Sequence, residues 1–276
     1  MTLGQCFPRL LPALCVASLA MWTGALAQQP ATDYQPKVGQ SGKDVVWVPT
    51  PQALVDRMLD MAKATPKDYV VDLGSGDGRT VITAAKRGIK AHGIEFNPDM
   101  AELAKRNAAQ AGVVDKATFA NADIFQTDFS QATVVTMFLL PGLNIRLRPT
   151  LLNMKPGTRV VSNSFTMDDW TADETVSVME GCTSFCKAYL WIVPAKVEGT
   201  WQMGQSELAL EQKYQMFTGT LKTGNVIAPI TDGKLIADQI SFTAAGTQYT
   251  GSVKGNAMEG TRKAGGTEEK WQATRK

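Results

Sequence analysis

Hydrophobic and polar residues follow one pattern in the first two thirds of the chain and another in the last third. In the first part, short apolar runs alternate with segments whose apolar residues recur at helical spacing. Tyr69 to Leu73 is one such run, Thr80 to Arg87 resumes the helical spacing, and Ala91 to Glu95 is the next run. Because parallel sheets are built from alternating strands and helices, the pattern predicts a doubly wound α/β sheet.

The other elements of this part continue the alternation. Thr50 and Pro51 are typical of a helix N-cap and first turn, so a helix is expected from about Pro51 to about Ala64. Further helices are predicted at Met100 to Ala111, started by Asn97-Pro98-Asp99, and at Leu147 to Met154. Further strands are predicted at Ala117 to Ala120, Ala132 to Leu140, Arg159 to Ser164 and up to Pro194.

Beyond Ala195, apolar and polar residues alternate with a period of two between glycine-rich turns. Such alternation is typical of antiparallel strands with one buried face. The predicted strands are Glu207 to Phe217, Lys234 to Phe242, Gln248 to Val253 and Glu269 to Thr274. The sequence therefore predicts a small antiparallel all-β sheet or barrel domain, with a boundary near residues 194–200.

The N-terminal segment has the order of regions found in signal peptides. Arg9 is the only charged side chain before an apolar run from Leu10 to Trp22, and Ala25-Leu26-Ala27 fits a cleavage site. We therefore expect a signal peptide at residues 1–27 and export to the bacterial periplasm or the medium, an uncleaved anchor being the alternative. After cleavage no stable membrane span is expected. Residues 28–44 are predicted to be an extended leader, and 45–195 and 196–276 the two domains.

The charge balance and the cysteine count limit which partners and metal ions the chain can bind. Lysine and arginine number 28 against 26 acidic residues, without a basic stripe, so no nucleic-acid partner is expected. The mature chain keeps Cys182 and Cys186, which either form a disulfide or are two thiols. With a single histidine, His92, they cannot supply four zinc ligands, so no metal site is predicted.

The segment from Asp72 to Arg79 is the strongest sign of a ligand site. It follows a predicted strand and opens a predicted helix, with glycines at positions 74, 76 and 78. Glycines let a backbone approach a ligand closely. The dinucleotide fingerprint has its third glycine one place later, where this chain has Arg79. The spacing therefore favours a nucleoside-amino-acid ligand over a dinucleotide.

Three segments in order resemble the cofactor site of class I S-adenosylmethionine-dependent methyltransferases, a Rossmann-like fold. Asp72 to Gly78 resembles motif I, Glu95 follows the next strand where the family binds the ribose hydroxyls, and Asp123 lies where it binds the adenine amine. Each acid alone can also be a loop cap or an exposed strand-end charge. The resemblance implies S-adenosyl-L-methionine as cofactor. Its implied binding residues are Thr50, Asp72, Gly74, Ser75, Gly76, Gly78, Glu95, Phe96, Asn97, Asp123 and Ile124.

A closer resemblance covers about Val45 to Phe165. Val46-Trp47-Val48-Pro49-Thr50-Pro51, together with the motif I segment, is similar to the ATP synthase c-subunit lysine methyltransferases and their bacterial relatives. In that family the Pro-Thr segment lies over the cofactor pocket. The resemblance therefore implies that Trp47, Pro49 and Thr50 line it, although packing of Trp47 on the first helix is an equal alternative.

The acceptor is less defined. Phe138 to Asn144 departs from the Asp/Asn-Pro-Pro-aromatic segment of enzymes that methylate base amines in DNA, and the lysine resemblance makes a protein amine the leading expectation. A small-molecule acceptor is also open, and no catalytic residue is assigned. His92 is expected to be structural, and Asp168 to Trp170 either border the acceptor pocket or form an exposed turn.

The sequence supports one main hypothesis and two others. The main one is an exported methyltransferase that works by in-line methyl transfer and carries an added β domain. Because the cofactor is made in the cytoplasm, a second hypothesis is a non-catalytic exported binding protein that retains a nucleoside-type pocket. In the third, the β domain is the working part and the α/β half a scaffold.

Overall fold

The architecture was obtained from a computed structural model, which describes residues 1–4 and 34–276. The predicted signal peptide, apart from its first four residues, lies outside the described residues. Residues 35–276 form one compact unit. No helix within residues 1–4 and 34–276 is both long enough and apolar enough to cross a membrane.

Four helices and fifteen strands make up the described chain. The helices are α1 (Gln52–Met61), α2 (Arg79–Lys86), α3 (Pro98–Gln110) and α4 (Pro141–Leu152). The first seven strands are β1 (Tyr69–Leu73), β2 (Lys90–Glu95), β3 (Ala117–Asn121), β4 (Val134–Met137), β5 (Arg159–Asn163), β6 (Glu174–Ser177) and β7 (Lys187–Ile192). The other eight are β8 (Gly199–Met203), β9 (Ser206–Lys213), β10 (Met216–Thr223), β11 (Val226–Ile236), β12 (Gln239–Ala244), β13 (Thr247–Lys254), β14 (Ala257–Ala264) and β15 (Thr267–Arg275).

The first seven strands form one sheet in the order β3-β2-β1-β4-β5-β7-β6. Strands β1 to β5 run parallel, and β7 and β6 are antiparallel additions at one edge. Successive residues of β1 face opposite sides, so Val70 packs with α1 and α2 while Val71 packs with α4. The chain order reverses between β1 and β4, and ligands of such sheets bind at the carboxyl ends of strands there.

Two helix starts differ from the prediction. Helix α1 begins at Gln52 without a side-chain cap, because the hydroxyl of Thr50 instead accepts a hydrogen bond from Asn163 Nδ2 at 3.2 Å. Helix α4 begins at Pro141, six residues before the predicted start at Leu147, because proline fits the first helical turn. Strand β4 is correspondingly shorter than predicted.

The last eight strands form a closed antiparallel barrel in the order β10-β11-β12-β13-β14-β15-β8-β9. Its interior is filled by apolar side chains, with the rings of Phe242 and Tyr249 stacked at 4.6 Å. The predicted stretches Glu207 to Phe217 and Lys234 to Phe242 each contain a turn between two strands, and the prediction missed β8, β14 and most of β10 and β11. A doubly wound sheet followed by a small antiparallel all-β domain is thereby confirmed. Whether residues 45–195 and 196–276 fold as separate domains stays a prediction.

The loop between β5 and β6 contacts the barrel. Asp169 Oδ1 accepts hydrogen bonds from the Tyr214 hydroxyl and from Arg148, both at 2.7 Å, and Lys213 Nζ lies 3.0 Å from Asp169 Oδ2. Gln215 adds a hydrogen bond from its side-chain amide to the carbonyl of Thr171 at 2.8 Å. These contacts join the turn after β9 to the sheet domain.

Candidate active site

A cavity opens at the carboxyl ends of the parallel strands, where β1 and β4 meet. Ten of the eleven predicted cofactor-binding residues line it: Thr50, Asp72, Gly74, Ser75, Gly76, Glu95, Phe96, Asn97, Asp123 and Ile124. They come from separate segments of the chain that the parallel topology brings to one edge. The described residues that line the cavity all precede the barrel. This location argues against the hypothesis that the β domain is the working part and the α/β half only a scaffold.

The glycine loop between β1 and α2 forms the floor of the cavity. Gly76 has a φ of 53°, and a Cβ there would lie 2.7 Å from the indole nitrogen of Trp47. Trp47 therefore lies directly on the loop. Trp47 and Pro49 both line the cavity. The eleventh predicted residue, Gly78, is not part of the lining. Its φ is 84°, and a Cβ would lie 2.7 Å from the ring of Phe119, so packing requires glycine there.

Glu95, at the end of β2, holds the loop in place. Its Oε2 accepts a hydrogen bond from the backbone N–H of Gly76, and its Oε1 accepts one from that of Asn97, both at 2.9 Å. Each carboxylate oxygen has a second lone pair for a further donor. Asn97 also caps α3, since its Oδ1 accepts from the N–H of Asp99 at 2.9 Å. With one lone pair of each oxygen still available, the Glu95 carboxylate can accept hydrogen bonds from two neighbouring hydroxyls of a ligand.

Asp72, at the end of β1, is buried beside this carboxylate. Its Oδ1 accepts a hydrogen bond from the hydroxyl of Thr136 at 2.6 Å. Burial raises the pKa of Asp72 to about 7, with smaller contributions from the charges of Glu95 and Asp77, while the hydrogen bond from Thr136 opposes the rise. Because the charged form of Asp72 is destabilised by burial, a positively charged group bound next to it would stabilise that form.

Asp123 forms an ion pair with a lysine of the predicted leader, residues 28–44. Lys43 Nζ lies 2.6 Å from Asp123 Oδ2 and 4.6 Å from the centre of the Phe96 ring. The hydrogen bond from Lys43 lowers the pKa of Asp123, and a hydrogen bond from the N–H of Phe125 adds to this. The lysine belongs to a tight hairpin at residues 39–47, whose strands meet at Ser41 and Val46. Sequence reasoning missed this hairpin because its residues show no apolar periodicity.

Three phenylalanines border the other end of the cavity. The ring of Phe138 lies 6.1 Å from that of Phe165 and 5.1 Å from that of Phe185, between centroids. Phe185 belongs to the loop between β6 and β7, which Cys182 and Cys186 close as a disulfide. Of the two alternatives for these cysteines, the structure therefore has the bridge.

The other residues considered from the sequence lie away from the cavity lining. Trp170 is buried in the core, and Asp169 makes the contacts to the barrel described above. His92 Nδ1 is 2.8 Å from the hydroxyl of Thr118, and burial lowers its pKa. None of these three residues is among the described residues that line the site.

The lining fits a nucleoside joined to a positively charged amino-acid group. Its charged members are five acids (Asp44, Asp72, Asp77, Glu95 and Asp123) and two bases (Lys43 and Arg79). With a sulfonium, an ammonium and one carboxylate, S-adenosylmethionine carries a net positive charge, which such a surplus of carboxylates favours. The hydroxyl of Ser75 is buried and has no hydrogen-bond partner within the described part of the chain. The fold and the site together define a class I S-adenosylmethionine-dependent methyltransferase.

Comparison with known proteins places the chain within this class. The ANTKMT methyltransferase domain family matches residues 72–174. A protein-lysine N-methyltransferase of Saccharolobus islandicus is 43% identical over 152 residues, which are 54% of this chain and 94% of that protein. The ATP synthase c-subunit lysine N-methyltransferase of Mus musculus is 35% identical over 47% of this chain and 52% of its own length. The chain thus spans almost all of the first relative and about half of the second.

A solved structure agrees with the fold and the cofactor. An RNA methyltransferase from Salinibacter ruber, in complex with S-adenosyl-L-homocysteine, shares 45% identity and a TM-score of 0.51, covering 54% of this chain and 96% of its own. The protein is a class I S-adenosylmethionine-dependent methyltransferase of the ANTKMT family, related to the ATP synthase c-subunit lysine methyltransferases, and its cofactor is S-adenosyl-L-methionine.

Proposed function

We propose that this methyltransferase transfers its methyl group to the side-chain amine of a protein lysine, outside the cytoplasm. The observation that carries the lysine proposal is the apolar end of the cavity, where phenyl rings border a route for an alkyl amine. The Saccharolobus and Mus relatives are named as lysine methyltransferases, which supports the same acceptor.

The residues of the chain would act mainly by binding and positioning. When bound, the cofactor supplies a methyl group activated by a positive sulfonium. Glu95, Asp123 and Asp72, which line the cavity, would hold the ribose, the adenine and the amino-acid part, and so would orient the methyl group for transfer. An amine nitrogen must be neutral to attack, and phenyl surroundings lower the pKa of a lysine. The amine therefore loses its proton to solvent before transfer, with no protein base assigned.

Export is supported by two features. The first 27 residues have the regions of a signal peptide, although most of them lie outside the described residues. The disulfide between Cys182 and Cys186 is typical of proteins from oxidising compartments. An exported enzyme needs cofactor from the cytoplasm, so the location is best tested directly by fractionating cells that express the full chain.

RNA is the second candidate acceptor, because the Salinibacter neighbour is named an RNA methyltransferase. The balance of 28 basic and 26 acidic residues offers little to neutralise phosphates. Protein lysine is therefore the acceptor that we argue for, and RNA is an outcome of the test.

The test is transfer of radiolabelled methyl groups by residues 28–276. Acceptors are heat-treated periplasmic protein, the same protein with its lysines chemically acetylated, and total RNA. We expect label in the first sample only, on lysines identified by mass spectrometry. Label that persists after acetylation, or that enters RNA, would overturn the lysine proposal. Cofactor binding without label in any sample would favour the non-catalytic binding protein.

A further inference from the structure

Phe185 is an exposed aromatic residue that the fold itself does not account for. Its side chain remains 40% exposed, and its backbone has a left-handed φ of 54°. Exposed apolar surface and a left-handed non-glycine residue both lower the stability of a fold. The ring nevertheless lies within 5.1 Å of Phe138 and 6.3 Å of Phe165, between centroids, at the border of the cavity.

The position of Phe185 is fixed by the disulfide loop, residues 182–186. The bridge between Cys182 and Cys186 closes this loop at the tip of the β6–β7 hairpin. Next to it, the backbone N–H of Val178 donates to the carbonyl of Cys186 at 2.8 Å. The bridge thus limits how far the ring can move from the other two phenylalanines.

Charge is distributed unevenly along the cavity. All of its charged lining residues fall at positions 43–123 of the sequence, in the segments that include the predicted cofactor-binding residues. The described lining residues beyond position 124 are all apolar: Met137, Phe138, Leu139, Leu140, Leu143, Phe165 and Phe185. An apolar channel continuous with the cofactor site suits an alkyl chain better than a phosphate or a sugar.

We propose that the disulfide loop is the outer wall of the acceptor channel and that Phe185 contacts the methylene stem of the acceptor amine. This inference rests on the proposed lysine specificity and deepens it. A lysine side chain has four methylenes that pack on aromatic rings. Reduction of the bridge frees Phe185 and weakens acceptor binding without changing cofactor binding.

The test uses probes that do not require the acceptor to be known. They are S-adenosylhomocysteine and two analogues in which its sulfur is replaced by nitrogen carrying a methyl or an n-butyl group. The butyl group stands in for the lysine stem. In the unmodified protein we expect the butyl analogue to bind about tenfold more tightly than the methyl analogue, since it adds three methylenes that are only partly buried beside a ring that is itself 40% exposed.

Variants then locate the contact. Phe185→Ala, and separately the double variant Cys182→Ser with Cys186→Ser, should reduce the butyl advantage to about twofold and leave the affinity for S-adenosylhomocysteine unchanged. Phe185→Leu should restore part of it. Met179→Ala is the matched control, because Met179 is 89% exposed on the same hairpin and does not line the cavity. Thermal unfolding verifies that each variant is folded.

The outcomes separate this inference from the lysine proposal. A butyl advantage that is absent in the unmodified protein, or unchanged by Phe185→Ala, overturns the channel even if lysines are methylated. A butyl advantage that depends on Phe185 supports the channel even if the methyl-transfer test finds another acceptor. If lysines are methylated, Phe185→Ala should also lower kcat/KM for the acceptor about tenfold with the KM for cofactor unchanged.

Discussion

Replacement of Glu95 by glutamine tests the arrangement of the cofactor site most directly. The carboxylate accepts one backbone hydrogen bond on each oxygen, from Gly76 and from Asn97. Glutamine keeps one acceptor oxygen but turns an NH2 group towards the other backbone N–H. Two donors then face each other, so one of these hydrogen bonds is lost and the glycine loop is no longer held at that point.

The expected loss of cofactor affinity can be derived from the strength of hydrogen bonds to a charged acceptor. One such bond contributes about 1.5–3 kcal/mol, and each 1.4 kcal/mol corresponds to about tenfold in affinity. Loss of the negative charge also removes part of the attraction for a positively charged cofactor. We therefore expect Glu95→Gln to weaken binding of S-adenosylmethionine about 100-fold, and of the uncharged-sulfur product somewhat less.

Isothermal titration calorimetry of residues 28–276 measures both affinities. Glu102→Gln is the matched control, because Glu102 lies exposed on α3, where it forms a surface ion pair with Lys105. It should change neither affinity by more than about twofold. If Glu95→Gln binds within about threefold of the unmodified protein while remaining folded, the carboxylate does not hold the cofactor site in the way that its two hydrogen bonds indicate.

Three further predictions concern single residues. Burial raises the pKa of Asp72 to about 7, so its ionisation makes the folded protein less stable as the pH rises from about 4 to 7. The free energy of unfolding, measured with urea, should therefore decline between about pH 5 and 8. Asp72→Asn should make this decline smaller by roughly 2 kcal/mol. Lys43→Ala should raise the association and dissociation rates of S-adenosylhomocysteine about threefold in stopped-flow fluorescence, since it releases the hairpin, whereas Lys37→Ala should not. Gly78→Ala should cost about 2–3 kcal/mol more than Gly112→Ala, because both have positive φ but only Gly78 has a ring in the space of the new Cβ.

The sheet and the cofactor end of the site follow from local sequence patterns. Asp72 and Glu95 each end a short apolar run, so the place of the strand also gives the place of the acid. The apolar end of the cavity could not be predicted from local sequence patterns. Phe185 lies between polar residues on a hairpin whose first strand, β6, reads Glu-Thr-Val-Ser and is mostly exposed, and its approach to Phe138 depends on tertiary packing. Lys43 likewise reaches Asp123 from 80 residues away.

The barrel is connected to the apolar end of the cavity, where the three phenylalanines lie, although it contributes no described residue to the cavity lining. Phe165 is the second residue of the β5–β6 loop, and its carbonyl accepts a hydrogen bond from Asn144 Nδ2 at 3.2 Å. Four residues later, Asp169 of the same loop is held by Tyr214 of the barrel. The loop is therefore fixed by α4 near Phe165, and by both α4 and the barrel at Asp169, which also accepts a hydrogen bond from Arg148. Detachment of the barrel would remove part of the attachment at Asp169, so an added domain can influence the shape of the apolar end of the cavity without lining it.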